Sequence, residues 1–324
     1  MTTEVLRTTE ALYALTDDWQ DLFTRCPDAT PFQSPAWLLP WWHVFGTARP
    51  VVATLRNRGR LAGVLPLYVL EDKLLPIGAG ITDYQDILLD QTEPPETASA
   101  LLSAAIAAAS VNRCDLIDLP HEAVLLRTDP PRGWEIARQQ SDPCPVLSLA
   151  DIPSGRRRDI RQSRHRADRL GGYTIETATP DTLDILLPAL YALHEQRHPG
   201  LDPRLSRFHR LTAPALLRAG LLRLWVARIH NELAAGYHTL LARNRIMFYL
   251  GAFNARFAYA SPGTLLMGEI IKRAPTEGRH ELHLLRGGEP YKYAWGATDR
   301  FNVQVSLRGP KARSNLAHSV AEAI

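Results

Sequence analysis

One order of elements is written twice along this chain, about 174 residues apart, and that repeat constrains the fold more than any other feature. Val52-Ala53-Thr54-Leu55, a turn at Asn57-Arg58-Gly59 and an apolar run from Leu61 to Leu70 predict a β-hairpin. Val226-Ala227-Arg228-Ile229, a turn at His230-Asn231-Glu232 and a run from Leu233 to Leu241 predict its counterpart. Each half continues with a strand, Asp86–Leu89 or Met247–Leu250, and then an amphipathic helix, Pro94–Val111 or Ser261–Gly278. A strand follows in each, Asp115–Leu119 or Glu281–Leu285. Hairpins recur by chance, but a shared order over roughly sixty residues favours duplication. The expected architecture is α/β, with two tandem lobes, each a mixed central sheet flanked by helices. The junction falls near Ala150–Ser154, which gives lobes of 1–152 and 153–324. Ser154 is the candidate N-cap of an arginine-rich helix that Gly171-Gly172 stops, and a helix over Asp181–His198 is closed by Pro199-Gly200.

The composition admits two such lobes. The 324 residues are 45% hydrophobic and 22% charged, a globular balance with ample core. The longest apolar stretch, Leu101–Ala109, falls well short of the roughly 20 residues that cross a bilayer. Met1-Thr2-Thr3-Glu4 lacks the basic and apolar segments of a secretory signal. Cys26, Cys114 and Cys144 form no CxxC pair, against a disulfide scaffold or a cysteine-rich zinc module. A cytoplasmic protein with reduced thiols is expected. The net charge of +3 makes no global argument for nucleic acid. Seven arginines do cluster between Arg156 and Arg169, but Asp159 and Asp168 interleave them and no aromatic residue offers base stacking. A solvated helix face is the expectation there.

Chemistry-bearing residues concentrate in the second half. Ser261-Pro262-Gly263-Thr264 stands where a strand turns into a helix, and N–H groups at a helix N-terminus make an anion site. Gly263 would let a phosphate approach, with Ser261 and Thr264 adding hydroxyls; an ordinary cap with proline at the first position explains Ser261 and Pro262 equally well. The matching turn, Gln91–Glu96, is acidic and lacks glycine, so only the second half suits a phosphate. Lys292, one of four lysines, stands among Tyr291, Tyr293 and Trp295, which suits a pocket wall. Its compact ammonium can hold an anion or a developing oxyanion. Arg286, after an apolar strand, can clamp a carboxylate or form a structural salt bridge, and Glu289 is a candidate base. Asp83, Tyr84 and Asp86 would face a cationic amine if the lobes share a cleft; turn-forming aspartates before a strand are the plainer account. His194-Glu195-Gln196-Arg197-His198 spells the HExxH zinc motif, yet Pro199-Gly200 ends the helix at once and no third ligand follows, so no metal is expected.

Several of these pieces together resemble a known group. They are the arginine-rich helix Arg156–Gly171, Leu193-His194-x-x-Arg197, the run Leu221–Arg228, Phe248-Tyr249-Leu250-Gly251, Ser261-Pro262-Gly263-Thr264-Leu265-Leu266, Leu285-Arg286-Gly287 and Glu289-Pro290-Tyr291-Lys292. Over about residues 153–300 the chain resembles the GNAT-superfamily N-acyltransferases of the group named after the cellulose biosynthesis protein CelD, relatives of the Fem aminoacyltransferases. Phe32-Gln33-Ser34-Pro35-x-Trp37 and Asp83-Tyr84-Gln85-Asp86 resemble that group's paired lobe. The resemblance implies acyl transfer from acyl-CoA, such as acetyl-CoA, to a primary amine of a small molecule or amino-acid derivative. Backbone N–H groups along Met247–Phe253, with Phe248, Tyr249, Leu250 and Gly251, would hold the acyl donor, and Ser261, Gly263 and Thr264 its pyrophosphate. Lys292, Glu289, Arg286 and His194 would serve catalysis. Asp83, Tyr84, Asp86, Arg197, Tyr291 and Trp295 would bind the acceptor. The segment departs from the full GNAT phosphate loop, which keeps open an aminoacyl-tRNA donor and a tRNA partner, as in Fem enzymes. A catalytically silent binding module of a polysaccharide or natural-product cluster is the reading outside enzymes.

Overall fold

Two apolar hairpins head two half-sheets, and the strand that ends each half crosses into the other. In the computed structural model, which describes residues 1–310, the first half runs β1 (Thr2–Leu6), α1 (Thr9–Ala14), α2 (Thr16–Arg25), α3 (Pro35–Phe45), β2 (Arg49–Asn57), β3 (Arg60–Leu70), β4 (Lys73–Pro76), β5 (Leu88–Leu89), α4 (Glu96–Ala109), β6 (Arg113–Leu119) and β7 (Glu135–Ser148). After α5 (Ser154–Arg169) the order returns as β8 (Tyr173–Thr177), α6 (Leu183–Arg197), α7 (Pro203–Arg218), β9 (Leu222–Ile229), β10 (Glu232–Leu241), β11 (Arg245–Phe253), α8 (Pro262–Arg273), β12 (Glu281–His283), α9 (Pro290–Ala294) and β13 (Thr298–Arg308). Among the described residues no helix is long and apolar enough to cross a membrane.

The expected mixed sheet is one continuous sheet of thirteen strands. Its order, β1-β2-β3-β4-β6-β13-β7-β12-β11-β10-β9-β8, reads as a palindrome about the β13·β7 pair. Only β4·β6 and β11·β12 are parallel. β13 lies between β6 and β7, while the end of β7 pairs with β12 over Val146–Ser148. Each half's last strand therefore fills what would be an open edge of the other half's sheet, where unpaired N–H and C=O groups would be costly. The two halves of the sheet are laced together by these exchanged strands.

Three local expectations need correction. Ser154 is the first residue of α5, not its cap; Pro153 precedes it with an extended backbone. The topological counterpart of β11 is β4, because both pair in parallel with the next strand of their half. Of the expected strand Asp86–Leu89, only Leu88–Leu89 pairs, onto Gly63–Val64 of β3. Between β4 and β5 the chain leaves the sheet over residues 77–87. Gly78, at φ +103°, makes that departure possible: a Cβ there would lie 2.5 Å from Thr82 Oγ1.

An aromatic core joins the halves on one face of the sheet. Trp37 of α3 meets Phe208 of α7 at 4.9 Å between ring centroids and Tyr249 of β11 at 5.2 Å, both edge to face. Ser34 starts α3 in the way its sequence promises, its Oγ accepting from Trp37 N with Pro35 following. On the opposite face α4 covers the first half and α8 the second. The fold therefore depends on β13 seating in the middle. Leu307→Ala, at a buried position opposite Cys114 and Ile136, should lower unfolding stability by about 2–5 kcal/mol in a urea titration. A change under about 0.5 kcal/mol would show that the strand does not carry the core.

Candidate functional site

A cavity of about 440 Å³ opens between the halves. The 77–87 excursion supplies Gly80 and Asp83, α6 supplies Tyr191 and His194, α7 supplies His209, β11 supplies Tyr249, and Arg286 enters from beyond β12. The two first-half motifs form its outer frame. Gln33 Nε2 donates to Tyr84 O at 2.9 Å, Trp37 Nε1 to Thr82 Oγ1 at 2.9 Å, and Asn302 Nδ2 of β13 to Asp83 O at 2.7 Å. Arg286 closes the frame from the second half. Its Nε donates to Asp83 Oδ1 at 2.6 Å, one terminal nitrogen to Asp118 Oδ2 at 3.1 Å and the other to Gly80 O at 3.1 Å. Burial pushes the Asp118 carboxyl up to about 6, against the pull of Arg286. Arg286 lines the cavity, but as the tie between two carboxylates of the first half and not as a free clamp.

Beside this cavity β11 parts from its neighbour. It pairs with β12 only from Arg245 to Met247, while its pairing with β10 continues to Phe253. The β10 register shifts between His238 and Thr239 and leaves Tyr249 as an extra, bulged residue. N–H groups beyond Met247 on the β12 side thus have no strand partner, an arrangement able to receive a carbonyl oxygen. Phe248 packs on Tyr237 on the other face, at 4.6 Å between centroids. Gly251 lies beneath both rings, where a Cβ would come within 2.5 Å of Phe248 and 2.8 Å of Tyr237.

The turn into α8 is held from below. Ser163 of α5 donates to the carbonyls of Ala260 and Ser261, and Tyr237 Oη donates to Gly263 O at 2.9 Å. Ser261 adopts a left-handed backbone and its side chain makes no capping bond, so its hydroxyl is not engaged as an ordinary cap. Tyr291, raised to about 12 chiefly by burial, stands near Tyr237 on this side. Arg197 lies over the Phe253 ring at 4.1 Å, at the far end of β11. The arginine-rich helix turns Ile160, Ser163 and Ala167 inward and most of its arginines outward.

Several expected site residues have other work. Lys292 is 2% exposed, and its Nζ donates to Leu285 O, Arg286 O and Gly287 O at 3.1, 2.7 and 3.0 Å while pairing with Glu289 at 2.9 Å. Every proton of the ammonium is engaged, so Lys292 pins the loop that carries Arg286, and Glu289 is its counterion. The expectation that either meets reacting atoms gives way to this anchoring role. Trp295 is a core residue packed with Ile152 and Leu284. Tyr84 and Asp86 face a different cavity, of about 530 Å³, in the first half. Asp86 accepts from the N–H groups of Ile87, Val124 and Leu125. Tyr84 Oη lies 3.0 Å from His283 Nδ1, and His283 Nε2 lies 3.1 Å from Glu281. Those partners require an imidazole that accepts from Tyr84 and donates to Glu281. His198, the second histidine of the HExxH string, caps the end of α6 with its ring 4.7 Å from that of His194. Among the described residues no group of three His, Cys, Asp or Glu is placed to hold a metal ion.

The sequence reading missed the inner wall. His209 and Tyr191 stack at 4.9 Å, and His238 Nδ1 lies 3.3 Å from Tyr191 Oη. Burial holds His238 down at about 3, and it holds His209 well below the usual range, helped by His238 and His194. His194 is lowered chiefly by burial and then by His198 and Arg197. The wall is therefore neutral at physiological pH.

Lys292→Met should lower stability by about 1–3 kcal/mol by leaving buried carbonyls without a donor, read as a drop in Tm. An unchanged Tm would return Lys292 to the list of free cations. The Glu281 carboxyl is depressed to about 2 by His283 and Arg300. A depressed acid stabilises the fold above its unfolded value of 4.5, and that contribution is lost as pH falls through about 2. Glu281→Gln should thus flatten the stability profile between those limits, and an unaltered profile would remove the pair as its cause.

Comparison with known proteins fits this geometry. Residues 154–293 match the family described as "Acetyltransferase (GNAT) domain". No curated protein matches. The fold is similar to FemX, with a TM-score of 0.66 and 12% identity over 94% of this chain and 97% of that one. It is also similar to the C-terminal domain of a putative lysylphosphatidylglycerol synthetase from Agrobacterium fabrum, with a TM-score of 0.61 and 12% identity over 90% and 91%. L-PGS from Bacillus licheniformis gives a TM-score of 0.61 and 10% identity over 92% and 93%. Both halves of the chain thus take part in the shared fold, while the match to the GNAT domain family is confined to residues 154–293.

Proposed function

We propose that the chain is an N-acyltransferase that moves an acyl group from acyl-CoA to a primary amine seated in the cavity between its halves. The observation that carries this reading is the parting of β11 from β12 beside that cavity, since it leaves N–H donors where an acyl carbonyl would lie. The GNAT match over residues 154–293 supports the reaction class. In this reading the second lobe, from residue 153, holds the donor, with its pyrophosphate at Ser261, Gly263 and Thr264. The first lobe, to residue 152, supplies acceptor contacts through Asp83. Arg197 and Tyr291 border the donor side, and membership of the CelD-like group and a cytoplasmic setting fit the same proposal.

A second donor has one specific observation behind it. Pro262 removes an N–H from the turn and the Tyr237 hydroxyl is already spent on the Gly263 carbonyl, which leaves fewer donors for a pyrophosphate. An aminoacyl-tRNA, as used by the Fem relatives named by sequence resemblance, would not need that turn.

Calorimetric titration of the protein with acetyl-CoA and with an aminoacyl-tRNA separates the two. Thr264→Glu sharpens the test. A carboxylate in the first turn of α8 suits the helix dipole and keeps the fold, yet it repels a phosphate there. The variant should lose acetyl-CoA affinity by at least about 10-fold, roughly 1.4 kcal/mol, with Tm unchanged. Unchanged affinity for acetyl-CoA would remove the turn from the donor site, and tight binding of aminoacyl-tRNA alone would favour the second donor.

A further inference from the structure

His209 stands apart from the other groups that the acyl-transfer reading left unused. It is 2% exposed, it lines the interlobe cavity, and its Nδ1 meets no hydrogen-bond partner among the described residues. A buried imidazole nitrogen without a partner is costly relative to a satisfied one. Such a group is retained where a ligand completes it more readily than where packing alone is served. Its placement is also specific. The His209 ring lies 5.3 Å from the ring of Tyr249, the bulged residue at which β11 leaves β12. No other histidine combines these positions. His238 is 0% exposed and does not line the cavity; His194 lines it and also has an unpartnered buried Nδ1, but its ring lies against His198 on the more open α6 side and not against Tyr249.

Resting on the acyl-transfer reading, we propose that His209 is the base that takes the proton from the attacking amine. The amine nitrogen bonds to the acyl carbon as the carbon–sulfur bond of the thioester breaks. The proton released from that nitrogen passes to the imidazole and then to the leaving thiolate. The products are an amide and a free thiol, and His209 ends neutral as it began. The surroundings suit that cycle. Tyr191 stacks on the ring from α6, His238 approaches it from β10 at 5.7 Å between centroids, and Trp37 closes the apolar side at 6.4 Å. Because burial and the two neighbouring histidines keep the ring unprotonated, it is ready to accept a proton. It is too weak a base to strip one from a free ammonium, so the wall selects an acceptor that enters as the neutral amine. Of the three carboxylates that line the cavity, Asp83 is tied to Arg286 and Asp202 to Arg204, and Glu195 is exposed.

The test compares wild type with His209→Gln and His209→Ala, using acetyl-CoA as donor, a panel of primary amines as acceptors and thiol release as the readout. With His209→Gln, kcat should fall on the order of 10²-fold while KM for acetyl-CoA stays within about 3-fold, and the acidic limb of the kcat profile should vanish. Free imidazole should restore part of the activity of His209→Ala, an effect that a packing role would not produce. If His209→Gln keeps near-wild-type kcat and the same acidic limb, the base is another group and the proposal falls. If His209→Gln unfolds, rescue of His209→Ala by imidazole decides: rescue supports the proposal, and a folded but unrescued His209→Ala overturns it. A wild-type protein that neither binds nor turns over acetyl-CoA overturns the acyl-CoA reading itself, and the role of His209 with it.

Discussion

Neither half of this chain can complete its sheet alone. β13 supplies the strand that β6 needs, and β7 supplies the one that β12 needs. Pulling the halves apart would open the β13·β7 pair and expose two rows of backbone donors and acceptors. The width of the cavity between the halves is therefore set by a continuous hydrogen-bonded ladder and not by a hinge. Admission of a ligand must fall to the elements that hang off the sheet: the 77–87 excursion, and helices α6 and α7.

The excursion is itself held from both halves of the chain. Gln33 and Trp37 hold it from the first half, Asn302 from β13, and Arg286 from the second half. Arg286 is held in turn by the backbone around it, because Lys292 gathers the carbonyls of residues 285–287 around one buried ammonium. A lysine can do this since its three protons spread over a cone, whereas the planar fork of arginine cannot converge on three neighbouring carbonyls. Thus Lys292 and Asp83 matter to the same site by different means. Asp83 forms its wall, and Lys292 fixes the loop that faces that wall.

Hairpins, the α8 turn and the repeated order were legible because each depends on residues near one another in sequence. Val52–Leu70 and Val226–Leu241 carry their own turns and their own apolar pattern. The exchange of β7 and β13 was not legible, since antiparallel pairing across 160 or so residues leaves no local mark. The break after β4 was missed for a similar reason. Ile77 and Ile81 are apolar enough for a strand, and only the Gly78 contact with Thr82 shows why the chain leaves the sheet there. Lys292 was misjudged from a sound observation. A rare lysine among aromatic residues does report burial, but burial is equally the setting of an ammonium saturated by carbonyls. His209 carried no sequence signal at all, because nothing in Phe208-His209-Arg210 distinguishes a cavity-lining imidazole from any helical histidine.

The two halves share an order of strands but differ where it matters for a site. β11 is unbroken, bulged at Tyr249 and open on one side after Met247. Its counterpart β4 stops at Pro76 and gives up the rest of the strand to the excursion. One copy thus keeps a backbone edge able to receive a carbonyl, and the other has converted the same stretch into the loop that faces it. The turns that follow diverge in the same sense. Ser261–Thr264 is uncharged with a glycine, whereas Glu93 and Glu96 sit before and at the start of α4. Negative charge at that helix N-terminus is favourable to the fold and excludes an anionic ligand. The two halves therefore play unlike parts in one cavity: the second presents the open edge of β11, and the first presents Gly80, Ile81 and Asp83 of the excursion opposite it.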